Sequence, residues 1–481
     1  MTSTPTDALS AREKISYGFG DFASCLYWQT ISVYLAYFYT DVFGITALAA
    51  GAMLGVSRSC DAIFDVVIGM LADRTNSRWG KFRPYLLYTC VPMALIGLLT
   101  FTVPDFDEKG KLIWAYATFN ALMLIYTTIN IPYTAMLGVL TPNPAERTAL
   151  SSIKFVGAFA GGIVISATLL PMAKVGGWLG ATTPKQGWQM AFVIIGVAAI
   201  ISFLIVFFNT KERVLPPKGQ QTSVLKDLGD LVTNRPWLVL LATTITFIFF
   251  VALKGNATTH YFKYYIGSQT LALPAWVPKY GGTQTWSWES LVSIYNTMNQ
   301  VLSLIGAMLV PFFARKVGNK PAFVILFIIA ILGTASVYVC RPEQVVLIFA
   351  VNTIASITGG PLSAILWAMY ADTADYAEWK TGRRATGLIF SASIFSQKFG
   401  WGWGGGLSLI MLNGVGFVAN QVQTPEALHG LVKLMSIFPA ACGVLAILIF
   451  VIFYPLNETN LARIAADLKA RREGGGHASA T

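Results

Sequence analysis

The sequence predicts an all-α polytopic membrane protein, with about twelve transmembrane helices arranged as two pseudo-symmetric six-helix bundles. Three observations carry this. Of the 481 residues, 55% are hydrophobic and only 12% charged, whereas ordinary soluble domains carry roughly 25% charge. Apolar runs long enough to cross about 30 Å of hydrocarbon recur along the whole length, over residues 15–43, 46–72, 84–103, 112–139, 149–172, 188–209, 236–265, 289–313, 321–340, 344–370, 386–415 and 430–455. A basic stretch with Pro216, Pro217 and Gly219, residues 210–235, leaves an equal number of spans on either side.

Taken in order, residues 1–14 are polar and lack the basic, apolar and small-residue regions of a cleavable signal, so they read as a cytoplasmic N-terminal tail. An N-terminal bundle over 15–209, a cytoplasmic loop over 210–235, a C-terminal bundle over 236–455 and a cytoplasmic tail over 456–481 follow. The loop after the second span carries Arg74, Arg78, Lys81 and Arg83, and the central loop carries Lys211, Arg213, Lys218, Lys226 and Arg235. The alternate loops are poorer in basic residues. This bias predicts a multi-pass protein of the cell inner membrane with both termini inside. The net charge of +11 is thereby accounted for by orientation in a lipid bilayer, and no nucleic-acid partner is expected. The block GMLADRTNSRWGKFRPY is echoed in the second half by FFARKVGNKPAF, which suggests duplication and a solute site near the midplane between the halves. Residues 268–288, rich in proline, glycine and tryptophan, read as an extended external loop, its aromatics interface anchors or a lid.

An ionisable group at membrane depth costs at least a few kcal/mol, so each one asks for a partner or a water-filled cavity. In the first span Asp21 is a gate or site residue. In the second, Arg58, Asp61 and Asp65 fall at relative positions zero, three and seven, one stripe of a helix. Two carboxylates so placed can coordinate a hard cation such as Na⁺, share protons, or form a static ion pair, and Arg58 can balance their charge when a cation leaves. In the fourth span Tyr126 and Asn130 share a face, with Pro132 beyond them, lining a cavity or shaping a kink. Lys154 in the fifth either reaches the cavity or snorkels to the surface. Lys398, about three turns into the eleventh, has less room to escape and calls for a carboxylate or a solute. Around His260, the polar and aromatic mixture Lys254, Gly255, Asn256, Tyr261, Lys263 and Tyr264 suits a sugar site, with Tyr261 and Tyr264 equally suited to anchoring at the membrane interface. Acidic and basic residues from Asp372 to Arg384 straddle the end of the tenth span, as solvated charge or as a gate. Gly157, Gly161 and the run from Trp401 to Gly406 are packing positions. The five cysteines and three histidines have no paired or ligand spacing, which leaves no expected cofactor and no disulfide framework.

These residues resemble the glycoside–pentoside–hexuronide:cation symporters of the major facilitator superfamily. EKISYGFGD and FYTDVFGI of the first span, RSCDAIFD and SRWGKFRPY around the second, and ADTADYAEWK of the tenth carry the resemblance. It implies a major facilitator fold and import of a sugar or glycoside by symport with Na⁺ or H⁺, through alternating access. It also implies a cation site of Asp61, Asp65 and Thr127, with Lys398 near both cation and sugar, and a solute cavity touching Tyr126. Cys25 and Asn130 stand where the family's melibiose-type members have sugar-binding aspartates, Thr134 where they have a tryptophan, and Lys154 where they have an arginine. The expected substrate-binding set is therefore Asp21, Cys25, Tyr126, Asn130, Lys154, His260 and Lys398, the coupling set Arg58 and Lys398, with no galactoside preference carried over. Sodium-dependent lysolipid carriers of the same broader family mark the alternative cargo. An enzyme is not expected, because no catalytic domain or phosphate-binding glycine loop is present. A transport-derived sensor is disfavoured by the short basic tail, and a monomer is expected.

Overall fold

The computed structural model describes residues 9–75, 77–141, 143–213, 233–273, 282–381 and 386–475. In the first half lie α1 (Ala11–Val33), α2 (Ala47–Arg74), α3 (Arg83–Thr100), α4 (Glu108–Leu140), α5 (Pro144–Ala173) and α6 (Pro184–Asn209). In the second half lie α7 (Arg235–His260), α8 (Trp288–Val317), α9 (Asn319–Ser336), α10 (Val345–Gly359), α11 (Leu362–Thr381), α12 (Thr386–Gly414), α13 (Pro425–Met435) and α14 (Ile437–Phe453). Helix α1 continues through Leu35–Tyr37 into a π-helical turn, Phe38–Phe43, and α7 likewise into Tyr261–Ile266. Several starts follow local chemistry. Ser10, Thr46, Asp107, Thr183, Asn234 and Thr424 each accept a hydrogen bond from a backbone N–H in the first turn that follows.

Among the described residues, nine helical stretches are long and apolar enough to cross a membrane. Three more, residues 11–43, 47–74 and 386–414, carry Asp21, the Arg58–Asp61–Asp65 stripe and Lys398 within them. Large apolar side chains such as Val197, Phe208, Met308, Leu332 and Ile452 are exposed on the outer faces. That surface suits hydrocarbon and not water. Within the halves, α1 packs on α5 and α6, α3 on α4 and α6, and α7 on α14. Between the halves, α2 packs on α12, α5 on α8 and α1 on α7.

Two glycine features set this geometry. A Cβ added at Gly51 would lie 2.7 Å from the Gly406 carbonyl oxygen, and one at Gly406 would lie 2.6 Å from that of Gly51. Backbones of α2 and α12 therefore touch, which is the packing role expected for this glycine run. Gly157 is pressed in the same way against the Gly18 carbonyl. The SRWGKFRPY block has its own reason. Gly80 has φ of +110°, and the Glu212 carboxylate fills the space beside it. Glu212 accepts hydrogen bonds from the backbone N–H groups of Lys81, Phe82 and Arg83 at 2.8, 2.8 and 2.9 Å, capping the positive end of α3 from the start of the central loop.

The structure adds three things to the expected organisation. The external loop forms a two-stranded antiparallel hairpin, β1 (Gln269–Leu273) with β2 (Gly282–Trp286). The tenth span breaks at Gly360 and continues as α11 to Thr381, well past the expected end at 370. Beyond the twelfth span the tail is not simply extended. Glu458–Gly475 forms α15, which packs on α11, buries Ile464 and Leu468, and takes a 2.8 Å hydrogen bond from the Trp379 indole N–H to Asp467.

Candidate functional site

Helix α2 brings its stripe to the boundary with the second half. Thr127 of α4 lies 3.0 Å from Asp61 Oδ1 and 3.1 Å from Asp65 Oδ1, and its single proton serves one carboxylate at a time. Lys398 of α12 reaches across between the bundles. Its Nζ is 3.4 Å from Asp61 Oδ2 and in direct contact with the Asp65 carboxylate. Arg58 Nη1 is 3.7 Å from Asp61 Oδ2, while its guanidinium sits 5.0 Å from the centre of the Trp28 ring and 5.8 Å from that of Phe119. Asp61 and Arg58 are buried, at 2% and 6% exposure. Two basic and two acidic groups thus balance without an added ion. Three oxygen-bearing side chains, Asp61, Asp65 and Thr127, converge where a hard cation would take part of its coordination shell. Among the described residues there is no cluster of three or more His, Cys, Asp or Glu that could hold a metal, so a cation here relies on two carboxylates and a hydroxyl.

On the N-terminal side a second polar layer forms. Asp21 pairs with Lys154 at 3.9 Å, and Lys154 also donates to Thr134 Oγ1 at 3.2 Å, so the lysine turns toward the bundle interior instead of snorkelling outward. Asn130 accepts a hydrogen bond from Ser24 Oγ at 3.0 Å and donates to the Tyr126 carbonyl. The Tyr126 ring stacks near Trp28, with centroids 6.1 Å apart, and Trp28 meets Trp401 of α12 edge-on at 5.9 Å.

A cavity of about 400 Å³ opens between the halves. Of the expected substrate-binding residues, Cys25 lines it directly. Asp21, Tyr126, Asn130, Lys154 and Lys398 are not among its lining residues, although the Tyr126 ring stacks near Trp28, which is. His260 corrects the expectation. It is fully buried, 2.9 Å from Thr40 Oγ1 and 3.3 Å from Asp41 Oδ2, away from the cavity lining. Lys263 at 2.7 Å and Tyr264 also hold Asp41, and Asn420 donates to the Asp41 carbonyl at 2.8 Å. This group ties the first half to the second at one end of the molecule. Among the cavity-lining residues, Asn296 donates to Tyr34 Oη and Gln300 to Gln29 Oε1, further bonds across the same seam. Arg383 and Arg384, the basic part of the expected charge run after the tenth span, lie outside the described residues, as does the side chain of Cys60.

Several cavity residues had no role in the sequence reading: Trp28, Gln29, Asn296, Asn299 and Gln300. One signal was available. Asn296, Asn299, Gln300 and Ser303 fall at helical spacing in an otherwise apolar span, one polar face of α8.

A family model described as MFS/sugar transport protein matches residues 16–458. The inner membrane symporter YicJ of Escherichia coli (strain K12) is 34% identical over 472 residues, 96% of each chain. The isoprimeverose transporter of Lactiplantibacillus pentosus is 34% identical over 464 residues, 95% of this chain and 91% of that one. Among solved structures, an inward-facing, unoccupied bacterial homologue of the human lysosomal transporter Spinster matches with a TM-score of 0.63 at 16% identity, covering 92% of this chain and 96% of its own. At that identity the likeness concerns the fold.

Proposed function

Because the chain belongs to the MFS/sugar transport protein family, we propose that it imports a sugar or glycoside by symport with Na⁺ or H⁺, using alternating access. The family makes it a membrane transporter and not an enzyme. The observation that carries the coupled mechanism is Lys398, held between Asp61 and Asp65 across the bundle boundary.

In this reading, the ammonium stands in for the coupling ion when none is bound. Arrival of Na⁺ or H⁺ at the carboxylates weakens the Lys398 contacts, because the same negative charge cannot serve both. Lys398 is then free to hydrogen-bond a sugar, and Trp28, which touches Arg58 on one side and the cavity on the other, carries the aromatic surface on which a sugar ring stacks. In this reading the Asp41 group closes the external end of the pathway. One chain supplies both sites, which supports a monomer as the working unit.

The test is uptake of labelled glycosides and pentosides into membrane vesicles, with an imposed Na⁺ gradient, an imposed proton gradient, or neither. Accumulation above the external concentration with one gradient is expected. Uptake that only equilibrates, whichever gradient is imposed, removes the symport reading.

The inward orientation of both termini rests on the basic loops. With native cysteines replaced, a cysteine at Lys211 should react with an impermeant maleimide only after permeabilisation, and one at Thr270 in the hairpin should react in intact cells. Both positions are exposed. The reverse pattern would invert the topology and with it the assignment of the closed end.

A further inference from the structure

The Asp41 group contains an imidazole whose protons the coupling scheme does not use. Thr40 and Asp41 lie in the π-helical turn that continues α1, His260 ends α7, and Lys263 and Tyr264 lie in the turn beyond it, so the group draws on both halves. The side chains of Asp41 and His260 are 0% and 1% exposed, and their donors and acceptors can be counted without water. Thr40 Oγ1 lies 2.6 Å from Asp41 Oδ2, and because a carboxylate only accepts, the single hydroxyl proton points there. Toward His260 Nε2, at 2.9 Å, Thr40 Oγ1 is then an acceptor, as is Asp41 Oδ2, 3.3 Å from the same nitrogen. On the other side of the ring, Nδ1 meets the Asn256 carbonyl oxygen at 3.3 Å, again an acceptor. Both ring nitrogens face acceptors only, so both carry hydrogen.

A neutral imidazole has one N–H and would press a lone pair against a carbonyl or a carboxylate where no water intervenes. The imidazolium fits: Asp41 balances its charge, and the C-terminal end of α7 favours a cation. Lys263, the other cation on Asp41, is 21% exposed and also donates to Asn420 Oδ1, so water and an amide share its charge. Around the ring stand Tyr37 of the first half, with Glu289 of α8 acting on it, then Tyr264 on Asp41 and the edge of Phe417. We infer that His260 is a proton-binding site of the closed external end, taking a proton from outside as the halves meet there and returning it to the same side as they part. This rests on the reading of the Asp41 group as the external closure. A proton that enters and leaves on one side drives no net transport, and its effect is to make opening depend on external pH. When the halves part, Thr40 and Asp41 leave with the first half and the ring enters water, where an imidazole loses its second proton at about pH 6.5. Above that pH the closed form binds one proton more than the open form, so opening releases it and is favoured as pH rises, by up to about tenfold per pH unit. Below it both forms hold the proton, and the dependence vanishes.

The experiment uses the full-length protein in lipid nanodiscs, with native cysteines replaced and fluorophores attached through Asp105→Cys and Glu343→Cys, exposed positions in the loops before α4 and α10 of the two halves. Single-molecule energy transfer is read from pH 5.5 to 8.5 at saturating Na⁺. The ratio of long to short distances should rise at least about tenfold between pH 6.5 and 8.5 and stay level below. His260→Gln, which keeps a donor toward Asp41, should lose the rise, whereas Asp65→Asn, at the coupling carboxylates, should keep it. No rise in the otherwise native protein, a fall, or a rise that survives in His260→Gln overturns the inference. A poorly folding His260→Gln protein does not protect it, because the chain has only three histidines. With His429→Gln and His477→Gln, nitrogen-15 spectra of the protein in lipid report His260 alone. Two protonated ring nitrogens at pH 7.5 are expected, and a ring that is neutral throughout overturns the inference. If the distance also stays fixed when Na⁺ and labelled sugars are varied, the reading of the Asp41 group as the external closure falls with it, while the vesicle assay still decides sugar transport.

Discussion

Replacing Asp61 or Asp65 by Asn is expected to abolish gradient-driven accumulation of sugar, reducing the inside-to-outside ratio in energised vesicles from tenfold or more to about one. Each substitution removes one of the two anionic oxygen ligands that α2 presents, and a hard cation bound by so few protein groups has little to spare. It also upsets the charge balance. With one carboxylate gone, Arg58 and Lys398 remain beside a single negative charge, and the surplus positive charge repels the incoming ion. Asp61 is the more buried of the two and touches Arg58, Lys398 and Thr127, so its loss should cost more in folding yield as well. Downhill exchange of sugar across the membrane should persist in part, because the cavity residues are untouched. The check is concentrative uptake set against counterflow in the same vesicles. If both variants accumulate sugar as the wild type does, the coupling ion binds elsewhere.

Lys398→Gln should uncouple the two sites without removing either. In the wild type, the coupling ion and the sugar compete for the attention of one ammonium in opposite ways. Ion binding releases it, and sugar binding uses it. Each ligand then promotes the other, and thermodynamic reciprocity requires the same factor in both directions, typically five- to 150-fold for coupled sites. The neutral amide cannot balance the carboxylates, so the change in sugar affinity between ion-free and ion-saturated protein should shrink to about twofold or less. It should also raise the energy of the ion-free carrier, in which Arg58 alone is left to balance both Asp61 and Asp65, and so slow its return. Sugar affinity measured by titration at several Na⁺ concentrations and pH values decides this. A variant that keeps the full ion dependence would make Lys398 a strut between α2 and α12 and nothing more.

Both expectations depend on features read at different levels. The stripe of Arg58, Asp61 and Asp65 was visible in the chain, because a helix converts spacings of three and seven into one face whatever surrounds it. The same local rule exposed the spans, the packing glycines and, had it been applied to the eighth span, the polar face of Asn296, Asn299 and Gln300. The resemblance to a symporter family placed Lys398 near the cation, but which carboxylates it would touch was not contained in the periodicity of α12.

What only the tertiary structure decided is which faces meet. His260 lies in a stretch whose composition suits a sugar site, yet the rotation of α7 turns it to Asp41 and gives the cavity Lys254 and Thr258 instead. Lys154 was compatible with both the cavity and the cytoplasmic surface until α1 brought Asp21 within 3.9 Å. The hairpin after α7 and the helix after the twelfth span depend on what they pair with or pack on, and neither follows from hydropathy. Composition and period by themselves determined a helical membrane protein of two halves with charge buried at chosen depths. Partner choice belonged to the crossing of α2 and α12, where Gly51 and Gly406 let two backbones touch and so bring a lysine of one half onto the carboxylates of the other. Helical period is a property of neighbours in sequence, whereas the approach and rotation of packed helices are set by side chains hundreds of residues apart.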